Sequence, residues 1–234
     1  MPPTSSVILR DSMTLAPRTP LRRLADCLTF PLRALTLFEE DLGPFSSLAT
    51  ERFDYVARVT EGYCLDIGCG RHNRFIQRHR GGRGVGVDVF PYAGLGPDHL
   101  VADPTHLPFD DATFDTVTFI ANLNHVPRSK RDAELAEAFR CLRPRGRIVV
   151  TMGNPVAELA VHKVVALYDR LLGTRLDVDT ERGMDSEEEY YLLDSEIIAR
   201  LTRAGFERVG KQRFWTQWAL NHLLVAHKPA ADPR

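Results

Sequence analysis

The feature that most constrains the fold is a series of short β-rich runs that alternate with helical segments between residues 63 and 152. The five candidate strands are YCLDI, GVGVDV, HLVAD, FDTVTFI and RIVVTM, in that order. Short apolar runs separated by crossover helices are typical of a parallel sheet with helices packed on its faces. This part of the chain therefore predicts a doubly wound α/β domain.

Two further β-rich runs, FERVGKQRF and ALNHLLVAHK, end the pattern, and only the residues WTQW join them. A parallel crossover needs a dozen or more residues, so these two strands must pair antiparallel. The predicted sheet is mostly parallel and is closed by a C-terminal antiparallel hairpin. Before the hairpin, the segment SKRDAELAEAFRCL predicts a helix with Ser129 at its N-cap, and PRG is expected to turn the chain after it.

The first sixty residues predict a separate helical part. LRRLADCLTF and SSLATERFDYVARV have apolar residues at helical spacing, and the breakers Pro31, Gly43 and Pro44 are expected to separate them. We divide the chain into a disordered leader at 1–20, an N-terminal helical cap at 21–60 and the main domain at 61–228, with a helical insertion at about 155–193. In that insertion, the acidic run SEEEYY is interpreted as a solvated helix face in preference to a cation site.

Composition excludes several kinds of partner. The 234 residues, 44% of them hydrophobic, can bury one sizeable core. Thirty basic against 31 acidic side chains provide no overall field for nucleic acid or anionic lipid, so small molecules are the expected partners. No apolar run approaches the roughly 20 residues that span a bilayer. Four scattered cysteines favour a cytoplasmic location without a metal site. Both a monomer and a homodimer remain open.

The glycine turn CLDIGCGRHNRFI follows the first predicted strand. Gly68 and Gly70 allow a ligand to approach the backbone closely, but the dinucleotide-binding fingerprint requires a third glycine where this chain has Asn73. Asp66 lies inside the apolar run, where a carboxylate is unfavourable unless a ligand ammonium group or the amides of the loop pair with it. The turn therefore predicts a ligand site that does not depend on phosphate.

Two further aspartates end neighbouring predicted strands. Asp88 follows GVGV at the distance where a carboxylate accepts hydrogen bonds from ribose hydroxyls, although it could also cap a helix. Asp103 ends HLVAD, where it could receive an adenine amino group. Since the carboxyl ends of parallel strands lie at one edge of a sheet, both are expected beside the glycine turn.

The order LDIGCG, GVDV, ADPTHLPFDDATFDTVTF and LRPRGRIVVT resembles the class I S-adenosylmethionine-dependent methyltransferases, in their UbiE-like (methyltransferase type 11) branch. The resemblance covers about residues 62 to 152. It implies a Rossmann-like, seven-stranded sheet and S-adenosyl-L-methionine as cofactor. Matched motif by motif, it implies contacts from four groups of residues: Asp66, Gly68, Cys69 and Gly70 at the methionine part; Asp88 and Val89 at the ribose; Asp103, Pro104 and Thr105 at the adenine; Ala121 and Asn122 at the sulfonium.

His125, in NLNHVPRS, follows the fourth predicted strand at the mouth of the expected site. An imidazole that titrates near neutral pH can take a hydroxyl proton, so His125 is the candidate catalytic base, and a loop-fixing role remains open. Phe53 and Tyr55 are candidates to reach over the cofactor. The sequence thus predicts methyl transfer to a small-molecule acceptor such as a secondary metabolite, lipid or sugar. The alternatives are an NAD(P)-dependent oxidoreductase and a non-catalytic protein that binds the same cofactor.

Overall fold

The computed structural model describes residues 18–36, 40–42, 45–92, 94–154, 187–189 and 191–231. Six strands form one sheet: β1 (Cys64–Ile67), β2 (Gly84–Val87), β3 (Phe114–Ile120), β4 (Leu142–Gly153), β5 (Glu207–Arg213) and β6 (Asn221–His227). Their order across the sheet is β2-β1-β3-β4-β6-β5. Because β1 lies inside the sheet with β2 on one side and β3 on the other, the strand order reverses there, which is where α/β sheets bind ligands.

The strand directions confirm a mostly parallel sheet closed by an antiparallel hairpin. β1 pairs parallel with both β2 and β3, and β3 pairs parallel with β4. β6 runs antiparallel to β4 and to β5. The connection between β5 and β6 contains only a 3-10 turn, Trp215–Gln217, so the chain has to reverse there as its length requires.

The expectation of seven strands is not confirmed, because HLVAD forms a single parallel bridge between Asp88 and Leu100. Two backbone hydrogen bonds hold it, from Asp88 N to His99 O and from Val101 N to Asp88 O, both 2.9 Å long. A 3-10 turn, Pro97–His99, precedes the bridge, and the turn that Asp103 closes with His106 follows it. These two turns leave too few extended residues for a full ladder at this edge of the sheet.

Four α-helices are described: α1 (Pro20–Thr36), α2 (Leu48–Val59), α3 (Arg131–Cys141) and α4 (Asp194–Arg203). The prediction that Pro31 breaks the first helix is wrong, since α1 continues through it. Proline has no N–H for the carbonyl four residues earlier, which is that of Cys27. The indole Nε1 of Trp218 donates to this carbonyl at 3.0 Å, so the helix keeps its acceptor satisfied.

Two local predictions around α3 are also wrong. Ser129 is not its N-cap, because the helix begins at Arg131 and the Ser129 hydroxyl donates to the Glu187 carboxylate. The PRG triplet does not separate α3 from the next strand, since β4 begins at Leu142 and includes it. The pairing of β3 with β4 shifts register there, and Arg145 has a φ of 65°, so the triplet forms an irregularity within the strand.

The buried core lies on both faces of the sheet. Alternate β-strand residues point to opposite faces, and in β4 Ile148 and Val150 join one cluster while Val149 joins the other. The first cluster includes residues of α3 and α4, and the second includes Tyr55 and Val56 of α2. Helices on both faces define the doubly wound arrangement.

Within the helical cap, Arg33 joins α1 to α2, and its side chain is fully buried. Its Nη1 donates to Ser46 O at 2.9 Å and pairs with Glu51 of α2 at 3.1 Å.

The predicted leader lies outside the described residues up to residue 17, and so does the predicted insertion from 155 to 186. The glutamates 187–189 are described and are not helical, so the solvated-helix interpretation of that run is wrong. Within the described part of the chain, no helix has the length and apolar character needed to cross a membrane.

Candidate functional site

A cavity of about 530 Å³ opens where β1, β2 and β3 end. This volume lies in the range of small-molecule pockets. Ten of the twelve residues predicted for the site line it: Asp66, Gly68, Cys69, Gly70, Asp88, Val89, Pro104, Ala121, Asn122 and His125. The terminal residues of the three strands, Ile67, Val87 and Ile120, also line it, so the sheet itself positions the cavity.

The amides of the glycine turn are engaged by the neighbouring strand end. Gly68 N and Cys69 N donate to Val87 O at 2.8 and 3.1 Å, and Gly70 N donates to Asp88 Oδ2 at 2.9 Å. A phosphate-binding turn instead directs successive backbone N–H groups at its ligand. This turn therefore offers close backbone approach but not a phosphate cradle, in agreement with the missing third glycine.

Gly68 is required by both conformation and space. Its φ is +76°, and a Cβ at this position would lie 2.1 Å from Cγ of Asn122. The Asn122 amide in turn donates to Ile67 O at 3.2 Å, which ties the end of β3 to the end of β1. Gly70 also has a positive φ of +64°, but among the described residues an added Cβ would meet nothing within 4 Å. The backbone of Gly70 is thus open toward the cavity.

Asp88 is held in place by two backbone amides and is only 7% exposed. Gly70 N donates to Oδ2 at 2.9 Å, and Phe90 N donates to Oδ1 at 3.0 Å. Each carboxylate oxygen has a second lone-pair direction with which to accept a ligand hydroxyl. A bend rather than a helix follows Asp88, so the helix-cap interpretation of this residue is wrong.

Asp66 is 1% exposed and accepts a 2.6 Å hydrogen bond from the Thr118 hydroxyl. Burial raises the pKa of this carboxyl to about 7, and the charge of Asp88 adds to the rise, while the Thr118 bond opposes it. The carboxyl can therefore change its charge near neutral pH. A cation placed beside it would favour the ionised form.

Asp103 and Thr105 lie outside the described lining of the cavity. The Asp103 carboxylate accepts bonds from Thr105 N at 3.0 Å and from Thr105 Oγ1 at 2.8 Å, and its side chain is 51% exposed. These hydrogen bonds lower the pKa of Asp103. Pro104, between these two residues, does line the cavity, together with Val101 and Ala102. In this conformation the segment presents an apolar wall to the cavity and its carboxylate to the outside.

His125 also lines the cavity. It closes a 3-10 turn, Leu123–His125, and its backbone N donates to Asn122 O at 2.8 Å. Its Nδ1 lies 3.6 Å from Oε2 of Glu188, which also lines the cavity. The site thus contains an imidazole and a carboxylate from parts of the chain that are far apart in sequence.

The two aromatic candidates differ in position. Phe53 lines the cavity from α2 and lies with its ring centroid 5.8 Å from that of Phe75. Tyr55 is 2% exposed, stacks on Phe214 with centroids 4.1 Å apart and lies 3.0 Å from the Thr216 hydroxyl. Phe53 therefore reaches the site, whereas Tyr55 belongs to the core.

Sequence reasoning missed several charged residues in the lining: Arg52, Arg71, Arg74, Lys130, Glu134 and Glu188. Arg71 and Arg74 could have been suspected, since they lie in the segment that departs from the glycine pattern. Arg52 shares a helix face with Phe53 and Ala49, a spacing visible in the sequence. Glu134 of α3 is 3% exposed, and burial raises the pKa of its carboxyl to about 7. No local signal marked Glu134, and Glu188 was noted only as part of the acidic run SEEEYY.

The residues present fit S-adenosylmethionine, the cofactor implied by the resemblance. This molecule contains a ribose, an adenine and an amino acid part but no phosphate. Asp88 offers a fixed carboxylate to ribose hydroxyls, Val101, Ala102 and Pro104 provide an apolar wall, and the buried Asp66 carboxyl suits an ammonium group. The open backbone at Gly70 supplies the close approach.

Comparison with known proteins supports this fit. Residues 65–150 match the family model described as a methyltransferase domain. The chain is 35% identical over 133 residues to the ubiquinone/menaquinone biosynthesis C-methyltransferase UbiE of Desulfotalea psychrophila, covering 53% of this chain and 52% of that protein. It is 30% identical over 128 residues to the demethylmenaquinone methyltransferase of Thermobifida fusca, covering 53% and 50%. The chain thus spans about half the length of the curated relatives it matches.

Two solved structures share the fold. The 1,6-didemethyltoxoflavin-N1-methyltransferase of Burkholderia thailandensis, solved with S-adenosylhomocysteine, has a TM-score of 0.53 at 18% identity and covers 92% of this chain and 93% of its own. A SAM-dependent methyltransferase of Archaeoglobus fulgidus has a TM-score of 0.53 at 14% identity, covering 77% and 93%. At these identities the likeness concerns the fold alone. Residues 65–150 are thus similar to a methyltransferase domain, and about half of the chain is similar to the UbiE relatives.

Proposed function

We propose that the protein transfers a methyl group from S-adenosylmethionine to a small-molecule acceptor bound at the His125 end of the cavity. One observation carries the proposal: a single cavity is lined both by the phosphate-free turn with Asp88 and by His125 with Glu188. The first set of groups suits the cofactor. The second set would contact the acceptor.

S-adenosylmethionine, when bound, supplies a methyl group on a sulfonium that is already a strong donor. The main task of the chain is therefore to hold the acceptor in line and to exclude water, and positioning of this kind is worth roughly 7–11 kcal/mol at most. Phe53 and Ile120 provide apolar surface in the lining. His125 is the group placed to take a proton from an acceptor hydroxyl.

The names of the related proteins point to small acceptors but to different acceptor atoms. The UbiE relatives are named C-methyltransferases, and the Burkholderia protein is named an N1-methyltransferase. We infer an acceptor of the size of a secondary metabolite, a lipid headgroup or a sugar. The near-zero formal charge of -1 favours neither nucleic acid nor an anionic surface as the partner. We infer a cytoplasmic location from the four scattered cysteines.

The two alternatives are less well supported. An NAD(P)-dependent oxidoreductase would need turn amides for a pyrophosphate, and here those of Gly68, Cys69 and Gly70 are engaged by Val87 and Asp88. A non-catalytic cofactor-binding protein would have a cavity that ends beside Asn122. This cavity continues to Phe53, His125 and Glu188.

The test is calorimetric titration of the protein with S-adenosylhomocysteine, with NADH as the control ligand. We expect micromolar binding of S-adenosylhomocysteine and no heat from NADH. A matched titration of His125→Asn should give the same affinity within about threefold, because the side chain belongs to the acceptor end. Binding of NADH instead, or of neither ligand, would contradict the proposed function.

A further inference from the structure

Three successive glutamates, residues 187–189, form a short segment outside the helices and strands that we call the glutamate strap. The strap is bound to the loop that follows β3 by backbone hydrogen bonds at both ends. Arg128 N donates to Glu187 O at 3.2 Å, and Glu189 N donates to Asn124 O at 3.0 Å. The strap therefore lies directly along the loop that carries His125.

The two outer glutamates anchor the strap. The Glu187 carboxylate accepts from Ser129 N at 3.1 Å and from the Ser129 hydroxyl. The Glu189 carboxylate accepts from Nη1 of Arg131 at 2.5 Å. The fully buried guanidinium of Arg131 also donates through Nε to Val126 O at 2.9 Å and through Nη2 to Asn124 O at 3.2 Å. The carbonyls on both sides of His125 are thus held by the same group that holds the strap.

The middle glutamate points the other way, into the cavity. Glu188 lies in the cavity lining, while the carboxylates of its two neighbours bind Ser129 and Arg131. The Glu188 side chain is 6% exposed, against 43% for that of Glu189. Its Oε2 lies 3.6 Å from Nδ1 of His125, which is ion-pair distance and slightly beyond a hydrogen bond.

We propose that Glu188 is the positioning residue for His125. Its carboxylate keeps Nδ1 of the ring directed toward Glu188, so that Nε2 receives the proton of an acceptor hydroxyl. The proposal rests on the proposed function for its chemistry. In that step the proton passes to Nε2, and the electron pair of the broken O–H bond stays on the acceptor oxygen as the nucleophile. The imidazolium that results lies beside the Glu188 carboxylate, which stabilises it.

Other charged groups border the same cavity, and the test has to separate them from Glu188. Lys130 immediately precedes α3, and Glu134 lies in it. Asp66 and Asp88 lie at the ends of β1 and β2. The other charged residues of the lining are Arg52 of α2 and Arg71 and Arg74 of the glycine turn. In the part of the chain that the structure describes, the Glu188 carboxylate lies within 4 Å of the His125 ring. A substitution at Glu188 should therefore affect this ring directly.

The experiment is an NMR titration of the histidine rings in the full chain, labelled with ¹⁵N, with His125→Asn used to assign the signal. An opposite charge within about 4 Å favours the imidazolium, so Glu188→Gln should lower the pKa of His125 by about one unit. Glu187→Gln is the matched control, because its amide oxygen can still accept from Ser129 and its side chain does not face His125. This control should leave the His125 titration unchanged.

Two results would overturn the proposal: an unchanged His125 titration in Glu188→Gln, or an equal shift in Glu187→Gln, which would mean that the strap acts only by fixing the loop. Calorimetry with S-adenosylhomocysteine on the same samples separates this proposal from the proposed function. Equal binding by wild type and Glu188→Gln, without a His125 shift, would remove the role of Glu188 and leave the methyltransferase assignment standing. If Glu188→Gln lowers the pKa of His125 as expected but neither protein binds S-adenosylhomocysteine, the role of Glu188 stands and the proposed function fails.

Discussion

The two ends of the cavity are built in different ways. At the cofactor end, the backbone determines the geometry: two glycines with positive φ form the turn, and amides of the chain hold Asp88. At the acceptor end, the geometry depends on side chains from α2, the loop after β3 and the glutamate strap. Backbone hydrogen bonds tolerate little variation, whereas side chains can change without altering the sheet. This difference agrees with the proposal that the first end binds a cofactor shared by many enzymes and the second selects the acceptor.

The largest expected effect tests the cofactor end through the pH dependence of stability. Asp66 has a pKa of about 7 in the folded protein, against 3.8 for the exposed group, so the folded state keeps a proton that the unfolded chain releases. The free energy of unfolding should therefore fall between about pH 4 and pH 7, by on the order of 4 kcal/mol from this group. Asp66→Asn should remove that component. Urea unfolding of both proteins from pH 4 to pH 8 measures it, and parallel curves for the two would show that Asp66 ionises normally.

A second comparison sets Asp88 against Asp103. Asp88→Ala should weaken binding of S-adenosylhomocysteine by about 1–3 kcal/mol, because it removes a fixed carboxylate and leaves the amides of Gly70 and Phe90 without an acceptor. Asp103→Ala should change the affinity less than about threefold, since that carboxylate is bonded to Thr105 outside the cavity lining. Calorimetry on both variants decides. An equal loss would mean that Asp103 turns inward when the cofactor binds.

Gly68 of the glycine turn and Gly82, which precedes β2, form a matched pair with nearly equal φ. Gly68 has a φ of +76° and Gly82 a φ of +75°, but an added Cβ collides with Asn122 only at Gly68. Each substitution to alanine should reduce the free energy of unfolding by about 1–2 kcal/mol through the left-handed conformation. Only Gly68→Ala should also weaken S-adenosylhomocysteine binding, by about tenfold. Loss of affinity in Gly82→Ala as well would mean that strain, rather than the displaced Asn122, is responsible.

The smallest effect is expected at the acceptor end. Phe53→Leu changes a side chain of the cavity lining and should alter S-adenosylhomocysteine affinity less than about threefold. Tyr55→Phe removes only the hydroxyl contact with Thr216 and should lower stability by about 1 kcal/mol without any effect on binding. A tenfold loss of affinity in Phe53→Leu would mean that the cofactor contacts α2, so that the two ends of the cavity do not bind separate molecules.

Much of the cofactor end could be predicted because its residues are close in sequence or follow successive strands. The turn with Gly68 and Gly70, the carboxylate of Asp88 and the segment at Ala121 and Asn122 all lie in the cavity. The prediction was less complete where a turn determines the direction of a side chain. Asp103 is in the expected segment, but its bonds to Thr105 direct its carboxylate away from the described lining.

The errors in the fold have a common cause, since each concerns a local rule that a distant contact overrides. Pro31 ends an isolated helix, but Trp218, almost 190 residues further along the chain, satisfies the carbonyl that proline leaves open. Ser129 is a good helix cap by residue type, but its hydroxyl is bound by Glu187. Propensities describe the preference of a short segment, and tertiary contacts of a few kcal/mol outweigh them.

The sequence by itself determined the alternation of strands and helices, the antiparallel hairpin and the phosphate-free character of the glycine turn. These follow from the periodicity of side chains, the length of a connection and the absence of a third glycine, all of which are local. Only the tertiary structure decided that Glu188 meets His125 and that Phe53 reaches the cavity while Tyr55 does not. Such contacts join residues dozens of positions apart, and their geometry exists only once the sheet and its helices have packed.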